Sequence, residues 1–327
     1  MSYFSFDSRD KGKKCAVIGC HGIGGTIAHA LAASGLPDAL VLIDRDKRLA
    51  DGQAADLCSA LPLRSDMDIW AGESSDLADC ALIVLAVGAS PIHETAQTDL
   101  IEINAPLVRH VASEITAYNK DAVIVVVSQP MDTMTYTALR YAGLPSGQII
   151  GPGTLIYSQR LRYLIGKYLG VDRHQVDIMI LGEQGARATV CWSLARVCGM
   201  PLDAYLNAMG RGGDLPVLKS LFDDILQEHE RAVDAKGHAD HTIAQAVISL
   251  ADIILHDRHT VLPLCTFTNG YAELSHVCMS LPCILGKRGA AIVPQLLPAP
   301  AELEQLQRSA TRLRARIPEV EKSFSAK

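Results

Sequence analysis

The chain lacks most of what marks a secreted, membrane-spanning or nucleic-acid-binding protein. Its first residues, MSYFSFDSRDKGKKC, have no apolar core and no small-residue cleavage site, so no signal peptide is expected. Its longest apolar runs, CALIVLAV and AVIVVV, are strand-length and too short to cross a bilayer, so no membrane partner is expected. There is no long basic run and the formal net charge is −6, which argues against a nucleic-acid partner. Nine cysteines are present, yet none forms a C-x-x-C pair and several lie inside apolar runs. They read as reduced, buried thiols of a cytoplasmic protein. Repeats and low-complexity segments are also missing.

What remains is a 327-residue chain with 49% hydrophobic and 20% charged residues, long enough for two globular domains. In the first half, KCAVIG (14–19), ALVLID (39–44), CALIVLAVG (80–88) and AVIVVVS (122–128) read as strands rich in Val, Ile and Leu without alternation. Such strands are buried on both faces. Helical stretches lie between them. GTIAHALAASG follows the first strand, and Ile103, Leu107, Val111 and Ile115 recur at helical spacing before the fourth. Strands alternating with helices imply an α/β fold with a doubly wound parallel sheet over residues 1–150. Residues 151–327 have a mixed α+β pattern. Helices are expected at 154–169, 215–235, 241–257 and 301–315, with strand-like pieces at 176–181, 188–192, 260–268 and 276–285.

The first strand runs into GCHGIGG, residues 19–25. Between a strand and a helix, glycines let the backbone approach a pyrophosphate, and the helix N-terminus favours its charge. Gly19, His21, Gly22, Ile23 and Gly24 are the candidate cofactor-binding residues of this turn, with Val87 and Gly88 after the third strand. Asp44, twenty residues past Gly24, stands where an acid binds the adenosine ribose and disfavours a 2′-phosphate, so NAD is expected over NADP. His21 occupies the middle position of the G-x-G-x-x-G frame, where a side chain crowds the pyrophosphate. A second frame through Gly19, Gly22 and Gly25 avoids that crowding. The other reading is a Rossmann-like turn that has lost its nucleotide.

A second short polar element, Gly182-Glu183-Gln184-Gly185, is wedged between the apolar runs DIMIL and ATVCW, a common place for a reacting group. Gln184 donates and accepts hydrogen bonds but does not titrate. Together with VIGCHGIGG, VLID, AVGA, VSQPMD, GLPSGQIIGPGT, RLRYLIGKYLG, ILGEQG, CWS and SLPCILG, this segment resembles the lactate/malate dehydrogenase family, nearer the lactate branch, over nearly the whole chain. The resemblance implies an NAD-binding Rossmann domain, a C-terminal substrate domain, a small carboxylate substrate (2-oxo, 2-hydroxy or imino acid) and a homodimer or homotetramer.

The resemblance also implies a catalytic set, and most of it is changed here. The family's general acid/base histidine falls at Gln184 and its orienting aspartate at Tyr157. The carbonyl-polarising loop arginine falls at Gln97, and the asparagine before proline at Gln129. The carboxylate-gripping arginine is kept as Arg160, which reads equally as a helix ion-pair residue. The family's threonine after KG-x falls at Ala239. Arg162 matches the arginine of an allosteric sugar-bisphosphate site, but Asp177 replaces the histidine of that site, so the site is not expected. Gln97 and Gln184 offer hydrogen bonds without charge or an available proton, so ordinary lactate or malate turnover should be weak. Tyr157 is one candidate replacement acid and His93, on the loop before Gln97, another. The pairs His238/His241 and His256/His259 have helical ligand spacing but no third ligand nearby, and no metal is expected. Two readings stand: an NAD-dependent oxidoreductase with a non-standard site, or an inactive relative with a binding, sensing or scaffolding role.

Overall fold

A computed structural model describes residues 13–61, 66–89, 97–237, 239–274 and 276–324. The first half alternates β1 (Lys14–Ile18), α1 (Ile23–Ser34), β2 (Ala39–Ile43), α2 (Lys47–Ala60), β3 (Asp68–Ala71), β4 (Leu82–Leu85), α3 (Gln97–Tyr118), β5 (Val123–Val126), α4 (Met131–Ala142) and β6 (Ile149–Ile150). These strands form one six-stranded sheet in the order β3-β2-β1-β4-β5-β6, and its pairings are parallel. The chain therefore folds as a doubly wound parallel sheet.

The continuous apolar runs are explained by burial on both faces. Cys15, Val17, Leu40, Leu42, Leu82, Val84, Val123 and Val125 point into one core. The alternate positions Ala16, Ile18, Val41, Ile83, Leu85, Ile124 and Val126 point into the other. With a side-chain period of two, neither face can be polar.

One feature of α3 differs from expectation. Ile103 and Leu107 are exposed, at 49% and 37%, whereas Ile101, Asn104, Ala105, Val108, Ala112 and Ile115 are buried. The first half of the expected stripe is thus displaced from the face that packs, while Val111 and Ile115 lie on it. The buried face carries a polar residue, Asn104, and two alanines, which hide it from a hydrophobicity pattern.

The second half comprises α5 (Leu155–Leu169), β7 (Val176–Asp177), β8 (Ile180–Leu181), β9 (Thr189–Val190), β10 (Arg196–Val197), β11 (Met200–Pro201), α6 (Leu202–Ala208), α7 (Leu215–Lys236), α8 (Asp240–Leu255), β12 (Thr260–Phe267), β13 (Cys278–Gly286), β14 (Gly289–Ile292), α9 (Pro300–Ala315) and α10 (Ile317–Ser323). The run read as one strand at 176–181 is two short strands in different sheets: β7 pairs with β10, and β8 with β9. β12, β13 and β14 form an antiparallel meander. The apolar core on one face of the parallel sheet continues without a break into the second half through residues such as Leu161, Val247, Leu264 and Leu281. At the chain's end, Val320 of α10 joins the opposite core, and the Phe324 ring sits edge-on to Tyr141 at 5.2 Å. Arg109 of α3 stacks on both rings, 4.9 and 4.7 Å from their centroids.

All nine cysteines are free. Cys58 and Cys198 are exposed, so the expectation of uniformly buried thiols is corrected at those two positions. No helix of the described residues is long and apolar enough to cross a membrane.

Candidate active site

The glycine turn joins the end of β1 to α1. Gly19 has φ +95°, and a Cβ there would lie 2.6 Å from the Ala86 carbonyl oxygen. A Cβ on Gly24 would lie 1.7 Å from the Gly19 carbonyl oxygen. Only glycine lets the helix start this close to the strand. Gly22, the residue before α1, has φ +54°, and a Cβ there would meet nothing within 4 Å. The outer glycines of the first frame therefore shape the turn, while Gly22 leaves open space at the helix N-terminus. His21 is exposed and Ile23 is buried. Asp44, just past β2, accepts hydrogen bonds from the backbone N–H of Cys20 at 2.7 Å and of Asp46 at 3.0 Å. Its carboxylate is thereby held beside the turn. Open backbone at a helix N-terminus with a fixed acid alongside fits a dinucleotide.

Across the sheet, the β4 and β5 ends are joined by a residue that the pattern did not reveal. Asn104 is fully buried. Its Oδ1 accepts from Ala89 N at 2.7 Å, and its Nδ2 donates to Ala89 O at 2.9 Å and Gln129 O at 2.7 Å. It packs so close to Gly88 (φ +113°) that a Cβ there would lie 2.3 Å from Asn104 Oδ1. The Val87 carbonyl accepts from Ser128 Oγ at 2.6 Å. Gln129 precedes Pro130 through a cis peptide, and its Oε1 accepts from Met131 N at 3.3 Å. Gln97 opens α3. The side chain of Gln97, and all of His93 and His238, lie outside the described residues.

Gln184 is half-buried, and its backbone N–H donates to Asp132 Oδ2 at 2.8 Å. Asp132 lies in the first turn of α4, 4% exposed, and its Oδ1 has no hydrogen-bond partner. Burial pushes this carboxyl up to about 6, with the Gln184 N–H pulling against that shift. On the other side, Glu183 is 5% exposed and shared by three guanidinium groups: Arg312 at 3.3 Å, Arg316 at 3.5 Å and Arg187 at 3.8 Å. The LGEQG turn is thus held from α4 and from the C-terminal helices. Both carboxylates stand in quoted motifs, VSQPMD and ILGEQG, yet nothing in one dimension shows that they flank the same residue.

Tyr157 of α5 is 3% exposed, its ring edge-on to Phe222 at 6.4 Å and to His229 at 5.7 Å, both on α7. Burial, and next the charge of Asp132, push its phenol above the usual tyrosine range. A phenol in that setting is a poorer proton donor than a free one. His229 is half-buried, and desolvation holds its imidazole below the ordinary histidine range.

One helical turn further along α5, Arg160 is engaged. Its Nε donates to Glu228 Oε2 at 3.1 Å, and its Nη2 donates to Glu228 Oε2 at 2.9 Å and Oε1 at 3.1 Å. Tyr163 lies under it, 5.3 Å from ring centroid to guanidinium carbon. Of the two readings of Arg160, the ion pair is the one present in this structure. Glu228 and His229 stand in a polar helical stretch, QEHERAV, that carries no motif, so sequence patterns passed over them. Arg162 pairs with Asp177 at 3.4 Å. His256 and His259 pair with Asp252 and Asp257 rather than with each other.

Two family models cover the chain. Residues 13–151 match the NAD-binding domain of lactate/malate dehydrogenases, and residues 154–324 match their alpha/beta C-terminal domain. The L-lactate dehydrogenase of Treponema denticola is 33% identical over 314 residues, covering 95% of this chain and 99% of that protein. That of Priestia megaterium is 31% identical, covering 93% and 95%. Among solved structures, a lactate dehydrogenase from a Medee basin deep-sea metagenome library superposes with a TM-score of 0.86 at 29% identity, covering 95% of this chain and 99% of that one. The ligand-bound minor L-lactate dehydrogenase of Enterococcus mundtii also gives 0.86, at 28% identity, covering 95% and 98%.

Proposed function

This chain belongs to the lactate/malate dehydrogenase family, and on that footing we propose that it is an NAD-dependent oxidoreductase of a small carboxylate whose site works without a fixed general acid. NAD, when bound, exchanges a hydride with the substrate. Gly19, Gly22 and Gly24 would hold the pyrophosphate, with Asp44 at the ribose. Gln129 and Gln184 offer neutral hydrogen bonds to the substrate, Arg160 its carboxylate-binding fork, and Gln97 a further amide at the start of α3. Tyr157 serves packing, because it is closed in by Phe222 and His229 and its phenol is harder to ionise than usual.

The observation that carries this reading is the contrast between the two halves of the site. The nucleotide turn keeps the close glycine contacts that only glycine satisfies. Gln184, which the resemblance puts at the proton-transfer position, is an amide whose backbone N–H is bound by Asp132. A 2-oxo acid needs a proton on its oxygen as the hydride arrives. Without a positioned acid that step slows by about 10²- to 10⁴-fold. NADH oxidation with pyruvate and with oxaloacetate should therefore run far below dehydrogenase rates. Normal turnover of either would refute the proton argument.

A second reading, a relative that binds ligands without turning them over, is favoured by one observation. Arg160 is already neutralised by Glu228, so the charge that would grip a simple anion is spoken for. Absence of hydride transfer to every carboxylate tried, with NADH bound, would select this reading.

A further inference from the structure

The Arg160–Glu228 pair has the geometry of a carboxylate ligand already in place. The guanidinium uses its Nε–Nη2 edge, the edge that grips a carboxylate bidentately. Both side chains are open to solvent, at 41% and 49% exposure, so a ligand can reach them. They sit beside Tyr157 and His229, whose rings pack together between α5 and α7. Arg160 is one turn from Tyr157 on α5, Glu228 adjoins His229 on α7, and Tyr157 packs on His229. Tyr157 in turn feels the charge of Asp132, whose carboxylate holds Gln184.

For a plain anion this arrangement is poor. The pair is neutral overall, so a plain anion that separates it gains no net attraction and leaves Glu228 without a cationic partner. For a ligand with a carboxylate and an adjacent cationic nitrogen it is complementary: the carboxylate meets Arg160 and the nitrogen meets Glu228. Discrimination comes as much from repelling the wrong ligand as from holding the right one. His229, held below the ordinary histidine range by burial, adds little positive charge near neutral pH to oppose the nitrogen.

We infer that Glu228 sets the substrate class of this site: a small zwitterionic acid of the cyclic imino/amino carboxylate type, bridging Arg160 and Glu228. The inference rests on the proposed oxidoreductase reading of the same pocket and accounts for the missing acid. Reduction of a cyclic iminium carboxylate consumes one hydride at carbon, which NADH supplies. The C=N π pair becomes the nitrogen lone pair, and the nitrogen keeps its own hydrogen. No proton is required in that step; the amine takes one from water afterwards. Gln184 in place of an acid is then no handicap, and Glu228 supplies the negative charge that favours the iminium form.

The test compares two ligands of one shape, proline and cyclopentanecarboxylate, which differ in the ring nitrogen. Binding of each to the full-length protein is measured by calorimetry with NAD present. Wild type should prefer proline. Glu228→Gln should weaken proline and tighten cyclopentanecarboxylate, each by about fivefold for a partly exposed pair, reversing the preference. Arg160→Gln should weaken both. An unchanged ratio of the two dissociation constants in Glu228→Gln, or no binding of either ligand to it, overturns the inference. These readouts are binding constants, so the inference fails separately from the oxidoreductase reading, which fails only if no hydride is transferred.

Discussion

Replacing Asp132 with asparagine should make the protein more stable at alkaline pH and slightly less stable in acid. Burial raises this carboxyl from its ordinary 3.8 to about 6. The folded protein therefore holds the proton more tightly than the unfolded chain does. Below about pH 4 both states are protonated and there is no penalty. As pH rises from about 4 to about 6 the unfolded chain releases its proton first, and stability falls. Above about 6 the full cost of a buried ionised carboxylate is present. That cost is about 3 kcal/mol, at 1.36 kcal/mol per pK unit.

Asparagine keeps an oxygen for the Gln184 N–H but places an amide N–H where Oδ1 now has no partner, at a cost of about 1 kcal/mol. The net expectation is a gain of about 2 kcal/mol at pH 8, or about 3 °C in melting temperature, and a loss of about 0.5 kcal/mol at pH 4. Thermal melts of both proteins from pH 4 to pH 8.5 are the assay, and the two curves should cross between about pH 4 and 5. A variant less stable at pH 8, or a difference that does not change with pH, would show that Asp132 is not a buried acid with a raised pKa. The carboxylate would then be stabilising, and its hold on Gln184 would need another explanation.

Three other outcomes follow from local geometry. Gly24→Ala drives a methyl group to within 1.7 Å of a backbone oxygen, so α1 must move off β1; NADH titration by fluorescence should show binding lost, and retained affinity would mean the turn does not hold the pyrophosphate. Tyr157→Asp places a carboxylate against Phe222 and His229 and should cost about 3 kcal/mol in a denaturant titration. Tyr157→Phe should keep NADH oxidation within about twofold of wild type, and a loss of about 10²-fold would make the phenol the site's acid after all.

The parallel sheet was legible because four of its six strands, β1, β2, β4 and β5, lie in nearly unbroken apolar runs with helices between them. β3 and β6 carried no such signal, since β3 has no buried residue and β6 has only two residues. The turn was legible because Gly19, Gly22, Gly24 and Asp44 lie within one strand-helix-strand unit. Helix α2 carries no such signal: only Ala50, Ala54 and Leu57 of its fourteen residues are buried. The α3 stripe misled at Ile103 and Leu107 because the packing face there includes Asn104 and Ala105 beside Ile101 and Val108.

The resemblance to the family, read residue by residue, puts Gln184, Tyr157 and Gln97 where its histidine, aspartate and loop arginine are expected. It could not determine what the remaining residues do, since that depends on side chains far apart in sequence. Glu228 meets Arg160 across 68 positions, and Asp132 meets Gln184 across 52. Hydrogen bonds and ion pairs depend on distance in space, and a linear pattern records only spacing along the chain. The sequence by itself determined the family and the glycine turn with Asp44 beside it. The tertiary structure decided that Arg160 is paired with Glu228, that Tyr157 is buried in the core, and that the buried Asp132 binds the backbone of Gln184.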